Sequence, residues 1–240
     1  MNIILGIETS TDILSISILR DKECLALYSA HSQSSHCERI VPLIEDILEA
    51  ANLKYKDITG VAVSAGPGSF TGLRIGVNTA KTLAHYLGIP LAGVGSLMGI
   101  AARALETKSV CPIIDARRER VYCAVYQSGI PEPEEILAPS VMTIEELKDN
   151  LQSSTESVVF SGHALTNLRS SIEKHFGEEA CFVREKYAEP SAESIARIGL
   201  ERIKKGFTEN ALTYEPFYLQ TFKAVRKKIP SPLKNNYNYL

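Results

Sequence analysis

Apolar and polar positions fall into blocks along this chain, and the period within each block predicts an element. Residues 2–8 (NIILGIE) run almost unbroken apolar, and 13–19 (ILSISIL) alternate apolar with Ser. Two strands are therefore predicted around the polar turn Thr9-Ser10-Thr11. The period then lengthens. From His36 to Leu53 a 3.6-residue wheel gathers Ile40, Val41, Leu43, Ile44, Ile47, Leu48 and Ala51 over about half its circumference. That arc is wider than the usual ~100° stripe of a core-facing helix. Ser35 is placed to cap it. Residues 58–66 (ITGVAVSAG) have the character of a buried strand, and Phe70 to Leu87 reads as a helix stopped by Gly88 and Pro90. Residues 89–96 and 97–105 add a further strand and helix.

From Lys108 the pattern restarts. SVCPIID (109–115) and RVYCAVY (120–126) read as a hairpin around ARRE, and Glu8 and Asp115 end the first strand of each hairpin, 107 residues apart. At that offset LSISIL (14–19) lies over VYCAVY (121–126). Residues 157–172 (SVVFSGHALTNLRSSI) repeat the strand–Gly–helix plan of residues 60–75. Between them a short helix opens with a capping box from Thr143 to Glu146. Residues 191–206 form another amphipathic helix, and 211–219 (ALTYEPFYL) a late extended segment. The plan recurs: two α/β halves, 1–106 and 107–222, with a basic, aperiodic tail at 223–240.

Composition narrows the chemistry. With 26 Lys and Arg against 28 Asp and Glu, the formal charge of −2 argues against a broad nucleic-acid-binding face and leaves room for a local basic patch. The five cysteines contain no C-x-x-C pair, so neither a zinc cage nor a disulfide framework is indicated. Cys111 and Cys123 lie in strand-like runs and read as small buried hydrophobes. The N-terminal residues lack a basic leader, and no apolar run approaches ~20 residues, so a soluble, cytoplasmic chain is expected.

The Gly-rich stretch SAGPGSFTGLRIG (64–76) invites comparison with phosphate loops. It lacks the Lys of a Walker loop, and its third glycine, Gly72, falls one residue too late for a dinucleotide fingerprint. A tight strand-to-helix turn accounts for it better: Pro67-Gly68 turns, Ser69 or Thr71 caps, and Gly72 and Gly76 admit close packing. GIETSTD (6–12) could hold a magnesium-bound nucleotide or be an ordinary hairpin turn. The second half offers only Gly162 as a counterpart to a phosphate loop, which weighs against ATP hydrolysis by this chain alone. His36 has Ile40 where a metal-binding pair needs a second ligand, and His163 has no visible acidic or cysteine partner. Arg117, Arg118 and Arg120, beside Asp115 and Glu119, make either a solvated turn or a small patch facing an anion or RNA. No nucleophile stands beside a base.

Taken in order, GIETST (6–11), SHCERIVPLI (35–44), SAGPGSFTGLRIG (64–76), IDARRERVY (114–122) and EPFYL (215–219) resemble the TsaB family, also called YeaZ. The resemblance spans most of the chain and implies a duplicated α/β fold of the actin/Hsp70/sugar-kinase-like class, in two α/β subdomains. It further implies an accessory role in making N6-threonylcarbamoyladenosine (t6A), 3′ of the anticodon in tRNAs reading codons that begin with A. In that pathway the metal-dependent paralogue TsaD transfers the threonylcarbamoyl group, TsaB is its non-catalytic partner, and the ATPase TsaE joins them. No catalytic residue, cofactor or metal is then expected on this chain; ATP and metal enter through the partners. The TsaD helix carries a His-x-x-x-His pair where this chain has His36 and Ile40. Gln220 departs from the Arg common in the family. The alternative is an ATP-dependent small-molecule kinase of the same fold; a free-standing tRNA-binding protein fits the charge balance less well.

The helix after the Gly-rich turn supplies a candidate surface. Leu73, Val77, Ala80, Ala84 and Leu87 form its core stripe, and Arg74, Asn78, Lys81 and His85 a polar face. The remaining side, Ile75, Thr79, Thr82 and Tyr86 bordered by Gly72 and Gly76, is predicted to meet a partner. His36, Arg39, Ile40, Leu43, Ile44 and Ile47 on the preceding helix would join it. The occupant would be TsaD, or a second copy of this chain when TsaD is absent. On this expectation Ile75 is exposed, and Ile75→Asp spares the monomer's melting temperature.

Overall fold

The computed structural model describes residues 1–31, 36–104, 109–127, 129, 132–152, 158–162 and 165–219. The first apolar blocks pair as expected: β1 (Ile3–Glu8) lies antiparallel to β2 (Ile13–Arg20), with Ile7 opposite Ile16 and Glu8 opposite Ser15. A third strand, β3 (Glu23–His31), extends the hairpin. Its signal is weak because it is an edge strand whose residues are all at least partly exposed. After α1 (His36–Ala50), β4 (Gly60–Gly66) joins β1 in parallel, and after α2 (Phe70–Leu87), β5 (Leu91–Gly95) joins β4. The order is β3-β2-β1-β4-β5, and α3 (Ser96–Ala101) follows.

The second half repeats this plan strand for strand. β6 (Ser109–Asp115), β7 (Arg120–Gln127) and β8 (Glu134–Thr143) form the antiparallel part. β9 (Val159–Ser161) joins β6 in parallel and β10 (Cys181–Phe182) joins β9. The order β8-β7-β6-β9-β10 matches the first sheet position for position. Glu8 and Asp115 each end the central strand of their sheet, which is what the 107-residue offset predicts. β8 escaped the sequence reading because Pro139 and two acids break its pattern, and two-residue β10 is too short to carry one. The helices of this half are α4 (Ile144–Gln152), α5 (Leu165–Phe176), α6 (Glu185–Ala188) and α7 (Ala192–Lys204). The Thr143–Glu146 capping box forms with both of its bonds, Thr143 N–H to Glu146 Oε2 at 2.7 Å and Glu146 N–H to Thr143 Oγ1 at 3.1 Å. The two halves are a duplicated actin/Hsp70/sugar-kinase-like fold.

Each sheet has a helix layer on either face, and the layers are exchanged. α1 and α2 bury Ile40, Ile44, Ile47, Leu48, Val77, Ala80 and Ala84 on one face of the first sheet, against Leu5, Ile7 and Val63. The opposite face, with Ile4, Leu19, Ala62 and Val94, is covered by α7 from the other end of the chain. Reciprocally, α3 packs Leu97 and Ile100 on Val110, Ile114, Tyr122 and Tyr126 of the second sheet. So α7, which the sequence groups with the second half, completes the first sheet. Cys111 and Cys123 lie in the remaining core, where burial pushes the Cys123 thiol up to about 12 and Cys111 well above its ordinary range. No helix among the described residues is long and apolar enough to cross a membrane. Ser35, His163 and the tail from residue 223 lie outside the described residues.

Candidate functional site

The Gly-rich turn is filled by the chain itself. Ser69 caps α2 by accepting the Gly72 N–H at 3.2 Å, as its position predicts. The Ser69 N–H reaches back 2.7 Å to the Ser10 carbonyl, and the Gly66 N–H goes to Ser96 Oγ. From the far end of the chain, the Phe217 N–H donates to the Ala65 carbonyl at 2.7 Å. These contacts commit the loop to the β1–β2 turn, α3 and the 207–219 segment. Glu8, at the end of β1, is buried and accepts the Ser10 N–H at 2.5 Å, while Ser64 Oγ accepts the Thr9 N–H at 3.2 Å and its hydroxyl bonds the Glu8 carboxyl. Burial raises its carboxyl above the ordinary value, outweighing those hydrogen bonds. No group of three His, Cys, Asp or Glu is arranged to hold a metal ion among the described residues. His36 spends its Nε2 on the Thr11 carbonyl at 3.1 Å.

Several predicted surface residues turn inward. A Cβ on Gly72 would sit 2.1 Å from the Thr9 carbonyl oxygen, and one on Gly76 2.2 Å from Thr9 Oγ1. Both glycines therefore serve the close approach of α2 to the β1–β2 turn, not a partner's helix. Ile40, Ile44 and Ile47 are core residues beneath α1, leaving at most an edge of Ile40 in reach of the surface. Leu43 and Ile75 are half-buried against the same core, so the expectation that Ile75 is simply exposed does not hold. Arg39 is held by Tyr28, donating from Nη2 to the phenol oxygen at 2.6 Å.

What remains outside is a continuous face along α1 and α2. A groove of about 460 Å³ runs between the helices, lined by Cys37, Ile40, Val41, Phe70, Arg74, Ile75 and Thr79 among others. A second, of about 630 Å³, lies on the other flank of α2 between Thr82, His85, Tyr86 and Leu212. Val41 is 48% exposed, Tyr86 83% and Leu212 67%. Thr79 and Thr82 border these grooves, and Val41 is the residue that widens the apolar arc of α1. The polar side of α2 has a structural task that its sequence did not reveal. Lys81 Nζ donates to the Tyr214 carbonyl at 2.7 Å, and Arg74 lies 4.0 Å over the Phe70 ring while donating to Tyr218 Oη. Both cations hold the C-terminal segment against α2.

The Asp115–Arg120 turn of the second sheet is the counterpart of the β1–β2 turn. Arg117, Arg118 and Glu119 all adopt positive φ, at 67°, 53° and 60°, which non-glycine residues rarely do in succession. Asp115 Oδ1 accepts the Arg117 N–H, and Arg120 Nη2 donates to the Val141 carbonyl. Arg120 is thus tied to β8, while the side chains of Arg117 and Arg118 project outward.

Comparisons with known proteins agree in direction. Residues 28–228 match the family model described as TsaD: tRNA N6-adenosine threonylcarbamoyltransferase. The chain is 31% identical to the tRNA threonylcarbamoyladenosine biosynthesis protein TsaB of Bacillus subtilis, over 95% of this chain and 98% of that one. It is 32% identical to the protein of the same name from Escherichia coli, with the same coverage. The solved structure of YeaZ from Pseudomonas aeruginosa superposes with a TM-score of 0.79 at 23% identity, covering 91% of this chain and all of that one.

Proposed function

Because this chain belongs to the TsaB (YeaZ) family of tRNA threonylcarbamoyladenosine biosynthesis proteins, we propose that it acts in that pathway as a non-catalytic subunit that binds TsaD through the α1–α2 face. The observation that carries the reading is a division of labour within the first half. Of the groups that a nucleotide or metal site would use, Glu8, Thr9 and Ser10 are buried, and the Gly-rich turn, though Ser69 and Thr71 are exposed, is bonded to Ser10, Ser96 and Phe217 of the chain itself. The apolar side chains that a partner would cover, Val41 and Tyr86, flank grooves on the outer face. On this reading the chain positions TsaD for t6A formation 3′ of the anticodon in the cytoplasm, TsaE joins the assembly, and ATP and metal are supplied by those partners. In the absence of TsaD the same face pairs with a second copy, so homodimer and heterodimer exclude one another.

The test is co-elution of the purified chain with TsaD, followed by light scattering of the chain alone. Val41→Asp is expected to weaken both associations about tenfold or more, since one carboxylate buried unpaired in an apolar contact costs at least ~1.4 kcal/mol. A folded Val41→Asp chain that still co-elutes with TsaD places the interface elsewhere. Titration with ATP and magnesium, with no partner present, separates this reading from a kinase of the same fold: phosphoryl transfer by the isolated chain would overturn it.

A further inference from the structure

The groove between α1 and α2 is walled by Ile40, Val41, Phe70 and Ile75, and Arg74 is the one basic or acidic side chain lining it among the described residues. Two contacts fix that side chain. Its guanidinium lies 4.0 Å over the Phe70 ring, and its Nε donates to Tyr218 Oη at 3.2 Å. Tyr218 is itself tilted against Phe70, with ring centroids 5.1 Å apart, so both rings and the guanidinium lock together. The N–H groups on Nη1 and Nη2 have no hydrogen-bond or ion-pair partner among the described residues. Arg74 is exposed, so water satisfies them in the isolated chain. A planar fork held from behind in this way is preorganised to receive a carboxylate through two parallel bonds.

Covering the groove changes the balance. Once water leaves, a guanidinium among apolar walls is strongly unfavourable unless an opposite charge meets it. Whatever covers Val41 and Ile75 must therefore bring an anion to the same place. A carboxylate side chain does this while its apolar neighbours cover the walls, whereas a phosphodiester backbone would set hydrated oxygens against them. We infer that Arg74 anchors one carboxylate of TsaD, an Asp or Glu flanked by apolar residues, in the α1–α2 groove. The inference rests on the reading that this face binds TsaD and names the chemistry that the partner brings to it. An arginine locked in a partly apolar pocket and paired across the contact is the kind of residue that dominates binding.

Titration calorimetry of the full chain with TsaD tests the anchor. Arg74→Met keeps an unbranched stem over Phe70 but removes the charge, leaving the TsaD carboxylate buried and unpaired. It is expected to weaken binding about 30-fold or more, with circular dichroism verifying that the variant folds. Because loss of the Tyr218 contact would also lower affinity, charge exchange supplies a second readout. Each surface Asp and Glu of TsaD is changed to Lys in turn and offered to the unaltered chain and to Arg74→Glu. One position is expected at which Lys lowers affinity for the unaltered chain and restores it for Arg74→Glu, a coupling that residues in contact produce. Two results overturn the anchor: an Arg74→Met chain that binds TsaD as tightly as the unaltered one, or a complete Lys scan without restoration. In the first case, a loss of affinity for tRNA would assign the fork to a phosphodiester instead. Val41→Asp separates the two levels of the reading. If it weakens binding while Arg74→Met does not, the TsaD face stands and the anchor falls; if neither does, both fall.

Discussion

Gly72 and Gly76 stand one turn apart on α2, and what they touch decides the sign of a simple experiment. A glycine kept open for a partner would gain about 1 kcal/mol of helix propensity on becoming Ala. Here the new methyl of Gly72→Ala meets the Thr9 carbonyl, which belongs to the main chain and cannot swing aside. Overpacking of that kind costs about 1–3 kcal/mol and outweighs the propensity gain. Calorimetry should therefore find a lower melting temperature for Gly72→Ala, and a higher one would return the glycine to the partner surface. Glu8 makes the second prediction at this scale. Burial raises its carboxyl pKa above the ordinary 4.5, so the folded chain binds that proton more tightly than the unfolded chain. Its contribution is fully present below pH 4.5 and is lost as pH rises through the raised folded value. Glu8→Gln cannot titrate, so denaturant midpoints should shift in the variant's favour as pH climbs across that window. A difference independent of pH would mean that folding leaves the Glu8 carboxyl titrating as it does in the unfolded chain. Neither role was visible in the residues alone, because Gly and Glu acquire them only when the β1–β2 turn and α2 meet in space.

The elements show where sequence patterning suffices and where it stops. The duplicated hairpins, the capping box, the buried strands and the long helices follow from period and turn chemistry. The edge strands β3 and β8 do not, because a half-exposed strand needs no strong alternation. α1 is the instructive case for the candidate site. Its apolar arc is wider than one core needs, and width alone does not say which residue lies outside. The fold assigns Ile40, Ile44 and Ile47 to the core and Val41 to the surface. Two substitutions therefore test the assignment by stability, without any partner. Val41→Asp should change stability by no more than about 0.5 kcal/mol, as exposed positions do. Ile75→Asp, half-buried against the core, should cost about 1–3 kcal/mol. Chemical denaturation of the two variants measures both, and equal losses would contradict the burial described.

For the whole molecule, the exchanged helices matter more than the repeated sheets. The first sheet acquires α7, and the second acquires α3, so neither half closes its core from its own sequence. Residues 1–106 expressed alone would leave Ile4, Leu19, Ala62 and Val94 uncovered. We expect that fragment to melt without a cooperative transition, whereas the full chain unfolds as one unit. A fragment that melts as sharply as the whole chain would show that α7 is dispensable to the first sheet. The sequence displays the duplication, which is local and periodic, but not the exchange, which is a relation between residues some 190 positions apart such as Ile4 and Ile195. The exchange also sets a clock on synthesis. About 110 residues separate the end of β5 from the end of α7, roughly 5–20 s of translation at ~5–20 residues per second. Throughout that interval the nascent first sheet has one apolar face uncovered, the kind of exposure that makes partly made chains prone to aggregate.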